Sequence, residues 1–194
     1  TFNPNLGGAL QPQVFALVLQ PDGRIIAGGS FTTAQPNGAA SATTRNYIAR
    51  FDADGTLDPG YNPNPNGMVL ALALHVEGRI VVGGGFTSFA PNGAAGATTR
   101  NRIARLTPSG TVDSEFDPNA NNGVTRLAVQ RDGNLVLGGY FTTLQPPGDE
   151  SPSSRDRLAR LNLDGTLDSE FYPKADGNVM AVASTLTDEV ADFS

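Results

Sequence analysis

Short apolar runs, each ended by a tight polar corner, recur along the whole chain. The first run of each unit leads into a Pro-Asp-Gly, Val-Glu-Gly or Arg-Asp-Gly corner, and a second apolar run returns and ends in paired glycines. An apolar run, a turn and a returning apolar run predict a β-hairpin. The predicted first strands are Val14 to Leu19, Val69 to Leu74 and Val124 to Val129, and the predicted second strands are Arg24 to Ala27, Arg79 to Val82 and Asn134 to Leu137.

A small, polar connector follows each hairpin and leads to two more strands. It reads AQPNGAASATT in the first unit, APNGAAGATT in the second and QPPGDESPSS in the third, and such segments are expected on the surface. Four antiparallel strands per unit predict one propeller blade. The predicted third strands are Tyr47 to Phe51, Ile103 to Leu106 and Leu158 to Leu161, and short fourth strands are expected through Leu57, Val112 and Leu167.

The whole unit repeats every 55 residues: DGRIIAGGSFTT begins at Asp22, EGRIVVGGGFTS at Glu77 and DGNLVLGGYFTT at Asp132. A period of this length indicates an array of supersecondary units that bury their faces against neighbours. The predicted fold is therefore all-β, a propeller-type array of three four-stranded antiparallel blades plus one extra C-terminal strand. The blades are expected at residues 1–60, 61–115 and 116–170, and residues 171–194 hold the first strand of an incomplete fourth blade and an acidic tail.

The fourth unit begins at Phe171 and aligns as far as Ser184, but no acidic-glycine corner follows at Thr187 and Asp188. Uncovered blade faces and an orphan strand recruit other chains. We therefore expect the last strand to be donated to a second copy by β-augmentation, and a head-to-tail contact of this kind gives a ring or a filament. The candidate donated strand comprises Val179, Met180, Ala181, Val182, Ala183, Leu186, Val190 and Phe193. The last three also fit one face of a helix, so the sequence leaves helix or strand open there.

Two of the repeated blocks resemble a known family. A DG-[RN]-[IL]-[IVL]-x-GG-x-FT block, followed by R-[ND]-x-[IL]-A-R-[FL], is similar to the delta-60 repeat, a β-propeller repeat found mostly in secreted bacterial proteins. The resemblance covers Phe2 to about Ser184. It implies a propeller fold and an extracellular or cell-surface location, and it supplies no catalytic residue.

Composition narrows the classes of partner. Nineteen acidic residues stand against twelve arginines and one lysine, Lys174, with no basic cluster, so a nucleic-acid partner is not expected. The longest apolar run, Met68 to Leu74, is far shorter than the roughly 18 to 20 residues of a membrane span. The absence of cysteine excludes a disulfide framework. Because the chain begins at Thr1 without a signal peptide, it is interpreted as a mature or excised product.

Three groups of residues suggest specific chemistry. Asp52, Asp54 and Asp58 resemble the opening of a calcium loop, but Pro63 stands where the bidentate glutamate belongs, and a simple hairpin corner is the favoured interpretation. His75, the one histidine, is predicted to be a solvated turn residue. Arg50, Arg105 and Arg160 each precede an aspartate by eight residues, which predicts a cross-strand ion pair in each blade, with an anion-binding ring of arginines as the alternative.

These observations favour a non-catalytic extracellular structural protein that self-assembles through blade faces and the donated strand. No G-x-S-x-G, H-E-x-x-H or P-loop motif occurs, and neither a metal nor a cofactor is expected. The alternative is a binding module, part of a larger propeller, that presents its surface loops to a carbohydrate or a protein. An enzyme is disfavoured because carboxylates do not gather outside the repeat pattern.

Overall fold

The computed structural model describes residues 3–8, 11–36 and 38–184, and this part of the chain is built from short strands. The first repeat contains β1 (Leu6–Gly7), β2 (Val14–Leu19), β3 (Ile25–Gly29), β4 (Thr33–Ala34), β5 (Thr43–Thr44) and β6 (Ile48–Phe51). The second contains β7 (Val69–Leu74), β8 (Ile80–Gly84), β9 (Ser88–Phe89), β10 (Thr98–Thr99) and β11 (Ile103–Leu106), with short 3-10 turns at Val76–Gly78 and Pro91–Gly93. The third contains β12 (Val124–Val129), β13 (Leu135–Gly139), β14 (Thr143–Leu144), β15 (Ser153–Ser154) and β16 (Leu158–Leu161).

Each repeat forms one three-stranded antiparallel sheet from the first three predicted strands. The orders are β2-β3-β6, β7-β8-β11 and β12-β13-β16, so the second strand is central in every sheet. The all-β class and these three strands per repeat are confirmed. The connectors, expected on the surface, carry two-residue ribbons in which β4 pairs with β5, β9 with β10 and β14 with β15.

The prediction of a fourth strand is wrong, because each repeat has only one isolated bridge at that place. Leu57 bridges Phe51, and the amide of Asp58 donates to the Arg50 carbonyl at 2.9 Å. The Asp58 side chain then accepts a hydrogen bond from the Gly60 amide, which turns the chain away from the sheet. Equivalent bridges join Leu106 to Val112 and Leu161 to Leu167.

The sheets stack in chain order, and apolar side chains of neighbouring sheets form a core at each interface. Ile26 of the first sheet and Val82 of the second lie in one core with Phe86 and Phe89, whose rings meet edge to face at 4.7 Å. A second core of the same type lies between the second and third sheets around Val124 and Leu137. Each sheet therefore has an upstream face toward the preceding repeat and a downstream face toward the next.

Paired glycines at the end of each central strand make this stacking possible. The first glycine of a pair receives a valine from the next repeat; a Cβ at Gly83 would lie 3.0 Å from Val124 Cγ1. The second glycine faces a main-chain carbonyl where the first strand bulges, so a Cβ at Gly84 would overlap the Met68 oxygen. The valine contacts are Gly28 with Val69, Gly83 with Val124 and Gly138 with Val179.

The candidate donated strand is not a strand in the described residues. Val179, Met180, Ala181, Val182 and Ala183 have no strand assignment and no paired neighbour there, so their pairing as a strand with a second copy stays a prediction. No strand of the described part lies beside them to complete a ladder. Leu186, Val190 and Phe193 fall outside the described residues.

Candidate functional site

A repeated arginine on the downstream face of each sheet joins consecutive repeats. Arg50 Nε donates to Asp58 Oδ2 at 2.8 Å, and the equivalent distances are 2.8 Å from Arg105 to Asp113 and 2.6 Å from Arg160 to Asp168. The predicted cross-strand ion pair is thus confirmed in all three repeats. Because every arginine is matched by its own carboxylate, the alternative of an anion-binding ring loses its basis.

The same guanidinium groups also reach into the following repeat. Arg50 Nη1 donates to the Pro108 carbonyl at 2.6 Å, and Arg105 Nη1 donates to the Leu163 carbonyl at 2.7 Å. Each arginine also lies over the aromatic ring that opens the next unit, a cation–π contact. The ring distances are 4.2 Å from Arg50 to Tyr61, 4.6 Å from Arg105 to Phe116 and 4.9 Å from Arg160 to Phe171.

A second repeated arginine, whose role the sequence reasoning missed, holds each repeat together internally. Arg100 is buried and donates to the carbonyls of Thr99, Asp113 and Phe116. Its recurrence at 55-residue spacing, as Arg45 and Arg155, was the signal that could have found it. These arginines are structural, since main-chain oxygens accept from their Nη groups, although Nε of Arg45 and Arg155 is buried without a hydrogen-bond partner among the described residues.

The three aspartates considered for calcium are each held by a different partner. Asp52 accepts from Arg24 at 2.9 Å, Asp54 accepts from the Thr56 amide and hydroxyl, and Asp58 binds Arg50. Across the described residues no group of three or more metal-ligating side chains converges. The hairpin-corner interpretation accounts for these contacts.

The prediction that His75 is solvated is wrong. The imidazole is buried at the boundary between the second and third repeats, where Nε2 donates to the Gly133 carbonyl at 2.9 Å. Burial lowers the pKa of His75, the Gly133 carbonyl opposes this, and Arg105 and Arg79 lower the pKa further while Asp113 raises it. The neutral form therefore prevails, with Nδ1 buried and without a hydrogen-bond partner among the described residues.

This arrangement predicts that stability decreases as the pH falls through the range in which an unfolded histidine titrates. A lowered folded-state pKa means that the unfolded chain takes up a proton first, so the contribution of His75 is complete above about pH 6.5 and is lost below it. Gln20 and Gln130 occupy the equivalent positions, so His75→Gln is a conservative change. Urea unfolding between pH 7.5 and 5.5 should show a smaller loss of stability in the variant. Equal pH dependence in the two proteins would contradict the assignment.

The upstream face of the first sheet is open. Leu17 and Leu19 are 65% and 68% exposed, whereas their equivalents Leu72 and Leu74 are partly buried against the first repeat. Val14 is exposed as well, although its equivalent Val69 is fully buried on Gly28. The exposed face is thus one that an upstream repeat covers elsewhere in the chain.

Among residues 3–8, 11–36 and 38–184, the tail covers part of the downstream face of the third sheet. Val179 packs on Gly138, Arg126 Nε donates to the Met180 carbonyl at 2.6 Å, and Ser184 Oγ donates to the Val129 carbonyl at 2.7 Å. The Arg160 side chain remains 30% exposed, against 4% for Arg105. Residues 179–184 therefore occupy the place of a first strand on an otherwise open face.

The first strands of all three sheets and the tail surround a cavity of about 440 Å³. Its wall is mixed, with apolar side chains such as Phe15, Leu70 and Leu127 beside Tyr140, and Arg126 is its one charged side chain. Neither a carboxylate nor a histidine is among its lining residues in the described part of the chain. None of the described helices is long and apolar enough to span a bilayer.

Several solved structures resemble this chain weakly. A protein of unknown function from Bacteroides caccae is 11% identical over 91% of this chain and 73% of its own, with a TM-score of 0.39. The PQQ-bound aldose sugar dehydrogenase of Streptomyces coelicolor is 18% identical over 89% of this chain and 51% of its own, with a TM-score of 0.37, so the chain spans about half of that enzyme. A catalytically inactive virginiamycin B lyase from Staphylococcus aureus with quinupristin is 9% identical over 95% and 78%, with a TM-score of 0.36. At such TM-scores none of them bears on function.

The comparison of sequences is more specific. No curated protein gives a significant match. The family model described as a domain of unknown function (DUF5122) beta-propeller matches three times, at residues 20–61, 78–116 and 130–171, and these ranges contain most of the chain and follow its period. The chain belongs to the DUF5122 β-propeller family.

Proposed function

We propose that this chain is a non-catalytic structural protein that self-assembles through its blade faces and a donated C-terminal strand. Each repeat is taken as one blade of the delta-60 type, with the bridge at Leu57, Val112 or Leu167 as the remnant of a fourth strand. The assembly is a ring if the rotation between copies closes and a filament if it does not. An extracellular or cell-surface location is part of the proposal and rests on the delta-60 resemblance alone.

One observation carries the proposal: residues 179–184 lie against the third sheet, as a first strand of the next repeat would, but belong to no sheet among the described residues. Within the described residues, none of their backbone amides makes a main-chain hydrogen bond. Ala181 and Ala183 are exposed, whereas their equivalents Ala71 and Ala73 are buried by the next repeat. A segment whose backbone amides are unpaired among the described residues, and whose small-residue face is uncovered, favours pairing with another chain.

The alternative, a binding module within a larger propeller, is supported by the connectors. Their exposed, small and polar residues lie at corresponding places in all three repeats, as in 94–99 and 147–152. In this case further repeats of a longer chain cover the open faces. A 194-residue chain that stays monomeric at every concentration favours this alternative.

Sedimentation velocity and negative-stain electron microscopy test self-assembly. The unmodified chain should form concentration-dependent assemblies, and Ala181→Asp with Ala183→Asp should weaken association more than tenfold, because two carboxylates would be buried without partners. Ala94→Asp with Ala95→Asp is the matched control, since both alanines are exposed on a loop and the added charge is equal. Removal of residues 179–194 should also abolish assembly. The proposal is overturned if the unmodified chain stays monomeric, or if neither the tail substitutions nor the removal of residues 179–194 weakens assembly.

A further inference from the structure

The tail lies on the third sheet through residues that occupy first-strand positions in the repeat. Val179 packs on Gly138 and Ser184 binds the Val129 carbonyl, and Val179, Val182 and Ser184 are partly buried, as Leu72 and Leu74 are against the first sheet. The opposite side of the tail is exposed. The tail therefore lies where the first strand of a fourth sheet would lie, and no central strand pairs with it among the described residues.

The first strand of the first sheet, β2, has one paired edge, one packed face and one exposed face. Strand β2 pairs with β3 along one edge and packs downstream through Val18. Its upstream side chains, Val14, Leu17 and Leu19, are exposed. In β7 and β12 the equivalent face is covered by the preceding repeat. Displacement of β2 from its sheet therefore breaks fewer packing contacts than displacement of β7 or β12 would.

We propose that residues 179–184 of one copy replace β2 in the first sheet of a second copy and pair with that copy's β3. This inference rests on the proposed self-assembly and names the acceptor of the donated strand. The composite sheet then lies on the donor's third sheet as each repeat lies on the one before it. The recipient's own β2 is displaced.

The register follows from the pairing of β2 with β3. Val14 faces Gly29, Ala16 faces Gly28 and Leu19 faces Ile25. In the composite sheet Val179, Ala181 and Ser184 take these three places, because each stands 165 residues after its equivalent, three periods of 55. The donated segment keeps the valine that fills the gap at the paired glycines.

The proposed pairing also brings together a hydrogen-bond donor of the third repeat and an acceptor of the first. Among the described residues Arg160 Nη1 makes no hydrogen bond, while its equivalents in the first two repeats donate to the Pro108 and Leu163 carbonyls. The equivalent carbonyl in the first repeat is that of Ala53, an exposed corner residue. The composite sheet brings the recipient's Ala53 carbonyl to the donor's Arg160, and so repeats the link between neighbouring repeats.

A covalent lock tests the exchange directly. Leu19 and Ile25 are opposed in the β2–β3 register, and the chain has no cysteine, so Leu19→Cys with Ile25→Cys allows one disulfide that ties β2 to its own sheet. The oxidised variant should self-associate at least tenfold more weakly than the reduced one. Reductant should leave the unmodified chain unchanged.

A cross-link between copies gives an independent readout. An Ile25→Cys chain mixed with a Ser184→Cys chain should form a heterodisulfide on oxidation, identified by mass spectrometry of the joined peptides. A Leu163→Cys chain replaces the Ser184→Cys chain as control, since Leu163 is exposed but has no β3 partner in the proposed register, and it should join to a much smaller extent.

The outcomes separate the two proposals. If the oxidised lock assembles as well as the reduced form, or if the heterodisulfide is absent while the unmodified chain assembles, the acceptor assignment is overturned and self-assembly stands. If the unmodified chain does not assemble at all, the proposed function itself fails. Weak assembly of the oxidised lock together with the heterodisulfide supports the exchange.

Discussion

Gly84→Ala is expected to destabilise the protein by about 3 kcal/mol. The new methyl group would overlap the Met68 carbonyl oxygen, which belongs to the bulged main chain and not to a flexible side chain. Relief therefore requires a shift of β7, whose valine fills the gap against the first repeat. The same overlap recurs at Gly29 with Gln13 and at Gly139 with Gly123.

Urea or thermal unfolding of the variant measures this cost. Gly96→Ala is the matched control, because a Cβ at Gly96 meets no atom within 4 Å and the backbone there is not left-handed. The control should be neutral or slightly stabilising, since alanine reduces the freedom of the unfolded chain. Equal stabilities of the two variants would show that the paired glycines are not required by packing.

Arg105→Gln is expected to cost about 3 to 5 kcal/mol, the range for breaking a buried ion pair by removing one partner. Arg105 is almost fully buried, and its loss leaves the Asp113 carboxylate and the Leu163 carbonyl without their main donor. Burial raises the pKa of Asp113, but hydrogen bonds from the Glu115 amide and Arg105 and the charges of Arg105 and Arg79 lower it overall. Arg79, 3.8 Å away, compensates only in part.

The chain offers its own control for this substitution. Arg160→Gln changes the same motif on the open downstream face, where the side chain is 30% exposed, and should cost about 1 kcal/mol or less. Unfolding measured well below the concentration of self-association compares the two variants directly. Equal costs would mean that the arginine acts only within its own repeat and that its contact with the following repeat contributes little.

The sequence predicted the architecture where one physical signal dominated. The 55-residue period and the apolar runs located the three strands of every sheet, and the eight-residue spacing located the ion pair of Arg50 with Asp58. These features depend on hydrophobic burial and on short-range register, both of which are visible in residue types.

Other features depend on contacts that residue types do not reveal. The predicted fourth strand does not form because the Asp58 carboxylate accepts from the Gly60 amide and turns the chain there. This side-chain hydrogen bond replaces the main-chain bond that a strand would make. His75 was misjudged because its burial comes from the corner of the following repeat, 58 residues away. The role of Arg100 was missed because its partners are carbonyl oxygens, which every residue carries.

The link from Arg50 and Arg105 to the following repeat ends on a carbonyl oxygen, and the residues that supply that oxygen, Pro108 and Leu163, have nothing in common as side chains. This hydrogen bond does not depend on which side chain the accepting residue carries. The aromatic ring, the valine and the paired glycines at each junction recur in every unit, so duplication or loss of whole units by recombination keeps these contacts as well. The gene can thus change its number of units while the docking chemistry between them stays constant.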